Sequence, residues 1–300
     1  MTELMRAVDQ LLEEVGPFVP HLAGLNVIQT PFPRLSVWSS TRVTPPSPAL
    51  FSPMFYAVLQ GKKVLRLGEQ RFDLSAGDCA ASSFGLPFTA QLENATPTLP
   101  YVAICLTLDI DLLVEVMLDM PKSEDRWVCS AAGGQLEGAL GEAFVRLVDL
   151  LSAPEDRTIL GRHYERELYY RLLQSSMGDT LRQLGQRDNR LRQIKTAAEW
   201  LTVNADKPVV ISDLAASAGM SQTSFYRHFK AITGFSPLAF QRQMRLMEAR
   251  RLLAAGGVSV SHIAYAVGYI SPSQFSREYK ILFGESPAAG MARPGNGLIA

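Results

Sequence analysis

The sequence predicts an α+β chain. Its N-terminal half reads as a small β-barrel or jelly roll with a helical extension. Its C-terminal half reads as an all-α domain of two helix-turn-helix units joined by a linker helix. Three observations lead there. Residues 211–237, ISDLAASAGMSQTSFYRHFKAITGFSP, recur in altered form at 261–287, SHIAYAVGYISPSQFSREYKILFGESP. About eight short strand-like runs crowd residues 25–108. Charge is also divided: residues 190–300 hold 13 Lys+Arg against 6 Asp+Glu, a net of +7, and residues 1–189 hold 16 against 23, a net of −7. The zero total by itself argues against nucleic acid, but its division suits a basic reader beside an acidic partner domain.

Residues 3–15 read as one amphipathic helix. Strand-like runs follow at 25–29, 35–39, 54–60, 63–67, 70–74, 78–82, 88–93 and 101–108, many separated by glycine or proline turns. Several alternate in polarity as half-buried strands do, and eight short strands suit a small barrel or jelly roll. After Asp109 the spacing becomes helical, over 111–120, 135–151 and 156 to about 184. The one linker candidate, residues 185–189, is short. The two halves, 1–185 and 190–292, are therefore expected to be closely coupled.

In the first repeat copy Ser212 is placed to cap a short helix carrying Leu214, Ala215 and Ala218. Gly219 stops it, since a left-handed C′ position costs glycine little. Ser221 caps the next helix. There Phe225 and Phe229, four apart, share the inward face, which leaves Thr223, Tyr226, Arg227 and Lys230 outside. The second copy repeats the logic with Ile263, Ala264 and Val267, then Gly268, then Ser271-Pro272. Phe275 and Tyr279 point inward, and Ser273, Gln274, Ser276, Arg277 and Lys280 stay available. Gly-x-Ser-Pro after each second helix supplies a C′ glycine, an N-cap serine and an N1 proline. The first such signal launches a linker helix from Pro237 to about Leu253. A plain helical bundle with solvated arginines is the competing reading. Two copies with Arg and Lys three apart on the outer face weigh against it.

These residues resemble the AraC/XylS family of transcription regulators over roughly 190–290. The match runs through A-x-x-x-G-M-S-x-x-x-F-x-R-x-F-K-x-x-T-G-x-S-P, then R-L-x-x-A-R-x-L-L from Arg245, then A-x-x-V-G-Y-x-S-x-x-x-F-S-R-x-Y-K. The resemblance implies a sequence-specific DNA-binding regulator working on promoter or operator DNA with two recognition helices. Base-edge contacts fall to Thr223, Tyr226 and Arg227, and to Ser273, Gln274, Ser276 and Arg277; Lys230 and Lys280 complete the DNA-facing set. RNA polymerase and a second copy of the chain are the implied protein partners. One departure stands out: after the last Ser-Pro the chain continues AAGMARPGNGLIA, apolar and glycine-rich, where the family has a tyrosine and several arginines. Gly61, Gly68, Gly77 and Asp78 carry a weaker similarity, over about 20–180, to the cupin-like N-terminal domain of one AraC branch. That likeness implies effector binding, dimerisation or both.

Catalytic cupins hold metal with an H-x-H pair, a Glu and a third His. The four histidines here, His21, His163, His228 and His262, form no such pair and leave the strands empty of His. No catalytic residue, metal or cofactor is expected. Cys79, Cys105 and Cys129 lack close spacing, which suits a reducing compartment, and the absence of a long apolar run suits a cytoplasmic, non-membrane protein. Trp38, Phe55, Tyr56, Phe88 and Tyr101 either line an effector pocket or fill the barrel core. A pocket of that makeup, with few charges beyond Arg34, Arg66 and Arg71, suits a small, mainly apolar organic effector. Dimer contacts are expected from Val145, Leu147, Val148, Leu151, Leu168, Leu172 and Leu173. The rival from another class is a metal-independent or degenerate cupin enzyme with an appended DNA-binding domain; a third reading is a DNA-binding protein without a ligand.

Overall fold

A computed structural model describes residues 3–20, 25–121, 128–185 and 189–291. His21, Arg126, Trp127, most of the linker candidate and the tail beyond Met291 lie outside the described residues.

The chain opens with α1 (Glu3–Val15) and a short 3-10 turn at Gly16–Phe18. Nine strands follow: β1 (Leu25–Gln29), β2 (Leu35–Ser40), β3 (Ser47–Phe51), β4 (Met54–Gln60), β5 (Lys62–Leu67), β6 (Gln70–Ser75), β7 (Asp78–Ser82), β8 (Leu86–Glu93) and β9 (Tyr101–Thr107). Then come α2 (Ile110–Asp119), β10 (Ala131–Gln135), α3 (Gly138–Asp149), α4 (Pro154–Gln174) and α5 (Gly178–Arg182). The strands make two antiparallel sheets, one of order β1-β2-β9-β4-β7-β10 and one of order β3-β8-β5-β6.

Two strands go beyond the sequence expectation. In β3, Pro48 breaks the apolar alternation, and the strand lies on a sheet edge where a missing N–H is tolerated. In β10, Ala-Ala-Gly-Gly-Gln offers no side chains to pattern, and it too is an edge. The helix expected over 135–151 therefore starts later, at Gly138. The helix expected over 156 to about 184 breaks in two. Ser175 bonds back to the Leu172 carbonyl at 2.7 Å, and Gly178 restarts the helix close against the Leu173 carbonyl.

Strand alternation divides the apolar residues between two cores. The inner faces of the two sheets meet around Trp38, Tyr56, Leu65, Phe88 and Tyr101. The outer face of the six-stranded sheet, with Val37, Phe55, Ala57 and Ile104, is covered by α1, α2, α3 and α4. Both faces of the central strands β4 and β9 are therefore buried, and those two strands read as near-continuous apolar runs. Arg34, in a left-handed conformation, ties the barrel to α4: it bonds the buried carboxylate of Glu165 at 2.7 Å, which also accepts from Tyr169 at 2.6 Å.

The C-terminal half is helical: α6 (Asn189–Val203), α7 (Ile211–Ser217), α8 (Gln222–Thr233), α9 (Pro237–Ala255), α10 (Val260–Ala266), α11 (Pro272–Phe283) and α12 (Pro287–Met291). Gly219, Gly234, Gly268 and Gly284 are all left-handed, as the turn and C′ readings require. Ser221, Ser236 and Ser271 accept bonds from the N–H three residues on. Ser212 does not cap: α7 starts at Ile211 behind Val210, and the Ser212 hydroxyl turns to Asp213. α9, with 19 residues, serves two cores. Phe240, Met244 and Met247 join the first unit in a buried cluster that continues into the barrel interior. Leu246, Ala249 and Leu253 join a separate cluster in the second unit.

Candidate nucleic-acid interface and barrel chamber

The two recognition candidates, α8 and α11, are built alike. In α8 the Phe225 and Phe229 rings lie 5.5 Å apart, and Phe240 of α9 meets Phe229 edge-on at 5.5 Å. In α11 Phe275 and Tyr279 are 5.6 Å apart and both fully buried. These anchors fix the rotation of each helix and leave the opposite face outward. Thr223, Tyr226, Arg227 and Lys230 are exposed on α8; Ser273, Gln274, Arg277 and Lys280 are exposed on α11, with Ser276 half-buried. Two of these side chains are already engaged. Gln274 donates to Glu278 one turn on at 3.0 Å, and Lys230 lies 3.5 Å from Glu69 in the β5–β6 turn.

That second contact belongs to a docking of α8 on the barrel. The Ile232 carbonyl accepts from the Ser130 N–H at 2.9 Å, just ahead of β10. Gly68 and Gly234 meet backbone to backbone: a Cβ on Gly68 would stand 2.3 Å from the Gly234 oxygen. So the C-terminal end of α8 is held from two sides, by the β5–β6 turn and by the start of β10. Of the strands next to these contacts, β6 and β10 each form one edge of their sheet. Phe72 of β6 and Ala131 and Ala132 of β10 line one small pocket at this end of the barrel. Behind Phe51, Tyr56 and Phe88 the free space is small, about 20 Å³, room for about one water molecule.

Of the aromatic candidates, Trp38, Tyr56, Phe88 and Tyr101 pack in the core between the sheets, and Tyr56 and Phe88 line this small space. Phe55 does not. It points to the opposite face of β4 and packs edge-on against Phe144 of α3 at 5.1 Å; next to an inward Tyr56, strand alternation puts it there. The three arginines considered for the pocket are elsewhere: Arg34 bonds Glu165, Arg66 is exposed, and exposed Arg71 pairs with Asp73. Buried in the core between the sheets is a basic side chain, Lys63. It is 1% exposed, and its Nζ lies 4.2 Å from the Tyr56 ring centre, 5.0 Å from Trp38 and 5.1 Å from Phe51. It donates to the Tyr56 hydroxyl at 3.0 Å, and Tyr56 in turn pairs with Tyr101. Burial pulls its pKa down to about 7. The sequence carried the signal: Leu65 and Leu67 face inward, and period two puts Lys63 on their side.

Burial raises the pKa of all three thiols, Cys105 to about 12. Thiols held neutral are poor nucleophiles. Among the described residues no group of three or more His, Cys, Asp or Glu is placed to hold a metal ion, and no helix is long and apolar enough to cross a membrane.

A barrel-like effector-type domain carrying two helix-turn-helix units on one linker helix defines a class of DNA-binding regulators. The family described as AraC-type transcriptional regulator N-terminus matches residues 31–180, half of the chain, and a helix-turn-helix domain family matches residues 214–293. The chain belongs to the AraC-type regulators. The HTH-type transcriptional regulator GlxA of Rhizobium meliloti (strain 1021) is 35% identical over 98 residues, 33% of this chain and 30% of that protein. The virulence regulon transcriptional activator VirF of Yersinia enterocolitica is 29% identical over 153 residues, 50% of this chain and 55% of that one. The chain thus spans about a third to a half of these relatives. Among solved structures, ToxT from Vibrio cholerae with an unsaturated fatty acid bound superposes with a TM-score of 0.51 at 10% identity, over 93% of this chain and 100% of that one. ToxT bound to (E)-4-(8-methylnaphthalen-1-yl)but-3-enoic acid gives 0.52 at 11% identity, over 86% and 97%. These show a shared fold.

Proposed function

We propose that the chain regulates transcription in the cytoplasm by reading double-stranded promoter DNA with α8 and α11, under the control of a small organic effector that enters the barrel. The observation that carries this is the matched pair of helices: each is anchored by two aromatics and presents an Arg and a Lys three apart on its outer face. In this reading Thr223, Tyr226, Arg227, Ser273, Gln274, Ser276 and Arg277 reach base edges, while Lys230 and Lys280 hold phosphates. The halves 1–185 and 190–292 then divide sensing from reading. The test is binding of purified protein to sites recovered by genomic mapping, against scrambled DNA. Equal affinity for both would end the proposal.

For the effector, the chamber supports a mainly apolar molecule with one anionic group. Trp38, Phe88 and Tyr101 supply apolar walls, and Lys63 is a buried amine hydrogen-bonded to a neutral hydroxyl, whose protonated form an anionic group beside it would favour. Both ToxT ligands named above are carboxylic acids or their relatives by description. Such a molecule needs more than 20 Å³, so its binding requires β6 and β10 to part. Heating full-length protein with aliphatic and aryl monocarboxylates checks this; stabilisation by none of them would leave the chamber a core.

RNA polymerase and a second copy of the chain are the proposed protein partners. The seven residues expected at a dimer interface are unsuited to it, since all are 8% exposed or less and pack within their own chain. The large apolar side chains that α2, α3 and α4 leave exposed among the described residues are Leu118 on α2 and Ile159 and Tyr170 on α4.

A further inference from the structure

The two reading units have separate apolar cores, although both draw on α9. Apart from α9 itself the two buried clusters share no element among the described residues, and a cleft of about 530 Å³ opens between them, lined by α6, α9, α10 and Leu50 of β3. What bridges the units is polar. Arg245, in the middle of α9, sends its Nε to the Ala205 carbonyl at 2.6 Å and its Nη2 to the Lys207 carbonyl at 3.2 Å, both in the turn ahead of α7. Its Nη1 reaches the Gly268 carbonyl at 2.8 Å, in the turn between α10 and α11. Gln241, one turn earlier, donates to the same Ala205 and Lys207 carbonyls. The two turns also touch directly: a Cβ on Gly268 would stand 2.2 Å from the Asp206 oxygen.

We infer that Arg245 is the positioning residue that sets the spacing and phase of the two recognition helices, and hence the half-site spacing the protein accepts. A planar guanidinium has five donors in a fixed fork. When three of its nitrogens hold carbonyls from both units, neither turn can rotate about α9 without losing a charge-assisted bond. A lysine has the charge but not the fork, so it can hold one turn and release the other. Two modules joined stiffly bind a correctly spaced pair of half-sites with high effective concentration. A looser joint lowers that value and broadens the spacings it can serve.

This rests on the DNA-reading proposal above. The experiment compares full-length wild type, Arg245→Lys and Arg245→Met on three kinds of DNA: the native site, the same site with one or two base pairs inserted or removed between half-sites, and a single half-site. Wild type should favour native spacing sharply. Both variants should lose about tenfold on the native site, keep single-half-site affinity within about twofold, and show a flattened dependence on spacing. Gly268→Ala, which pushes the turns apart and displaces the carbonyl that Arg245 Nη1 holds while leaving the guanidinium in place, should flatten it too. Equal losses on every DNA, or an unchanged spacing profile, would overturn the role given to Arg245. A wild type indifferent to spacing would instead overturn the two-unit reading itself. Melting curves identify a variant that has simply unfolded; Gly268→Ala and Arg245→Lys then decide the matter.

Discussion

Lys63 shows how one side chain bears on both stability and recognition. Its folded pKa of about 7 lies below the ordinary 10.5. Between those values the unfolded chain binds the extra proton, so stability rises with pH across that window, by up to about 1.4 kcal/mol per unit. Below it, the cost of the buried charge is present in full. Lys63→Met should therefore be more stable than wild type at pH 7, with the gap shrinking toward about pH 9.5 in denaturant titrations. A variant less stable by a constant amount would mean that the three rings and the Tyr56 hydroxyl more than offset desolvation. At the DNA face, Arg227→Ala and Arg277→Ala should each cost about 1–3 kcal/mol on the native site and much less on scrambled DNA. Equal losses on both DNAs would make them phosphate anchors. Both arginines could be found in the sequence because each recurs at a matched place in a repeat. Lys63 could not be found from composition, which counts lysines as surface residues, though the parity of β5 pointed to it.

Among the elements, two glycines form a natural control pair. Gly234 and Gly284 end α8 and α11 with φ of 77° and 73°. Alanine at either costs about 1–2 kcal/mol for a left-handed backbone. A Cβ at Gly284 meets nothing within 4 Å, whereas one at Gly234 meets Leu67 at 3.2 Å and its carbonyl at 3.3 Å. Gly284→Ala should show the backbone cost alone. Gly234→Ala should cost more and speed amide exchange at Ser130, whose N–H bonds Ile232. Equal melting temperatures would mean the docked seam contributes little. The same comparison explains what sequence patterns convey. Helix ends marked by Gly, Ser and Pro were legible to within a residue or two, because those signals are local. The docking of α8 on the barrel was not, because Gly68 and Gly234 look like any other turn glycines until the chain brings them together. Edge strands β3 and β10 escaped for a related reason: proline and small residues leave no alternation to read.

For the molecule as a whole, charge division sets the terms of binding. A chain of zero net charge with +7 on its reading half should still release counterions on DNA. If about 6–10 phosphates are contacted, affinity falls about 10³–10⁵-fold between 50 and 200 mM salt. A flat response in anisotropy titrations would rule out an electrostatic footprint. The acidic half keeps repelling the duplex, so deleting Glu69's charge with Glu69→Gln should raise affinity modestly, by freeing Lys230 and by removing a negative charge near the DNA face.

The two edge strands that line the small pocket, β6 and β10, also border the contacts that hold the end of α8, and this has a consequence for time as well as affinity. If the effector enters between β6 and β10, the Ser130–Ile232 bond and the Gly68–Gly234 seam lie beside its path and should have to open. Association then waits on a spontaneous opening of the protein. In a stopped-flow experiment following tryptophan emission, the observed rate should climb with ligand concentration and then level off at the opening rate. Gly234→Ala should lift that plateau. A rate that rises linearly to the highest concentration, in wild type and variant alike, would mean the chamber fills by some other route.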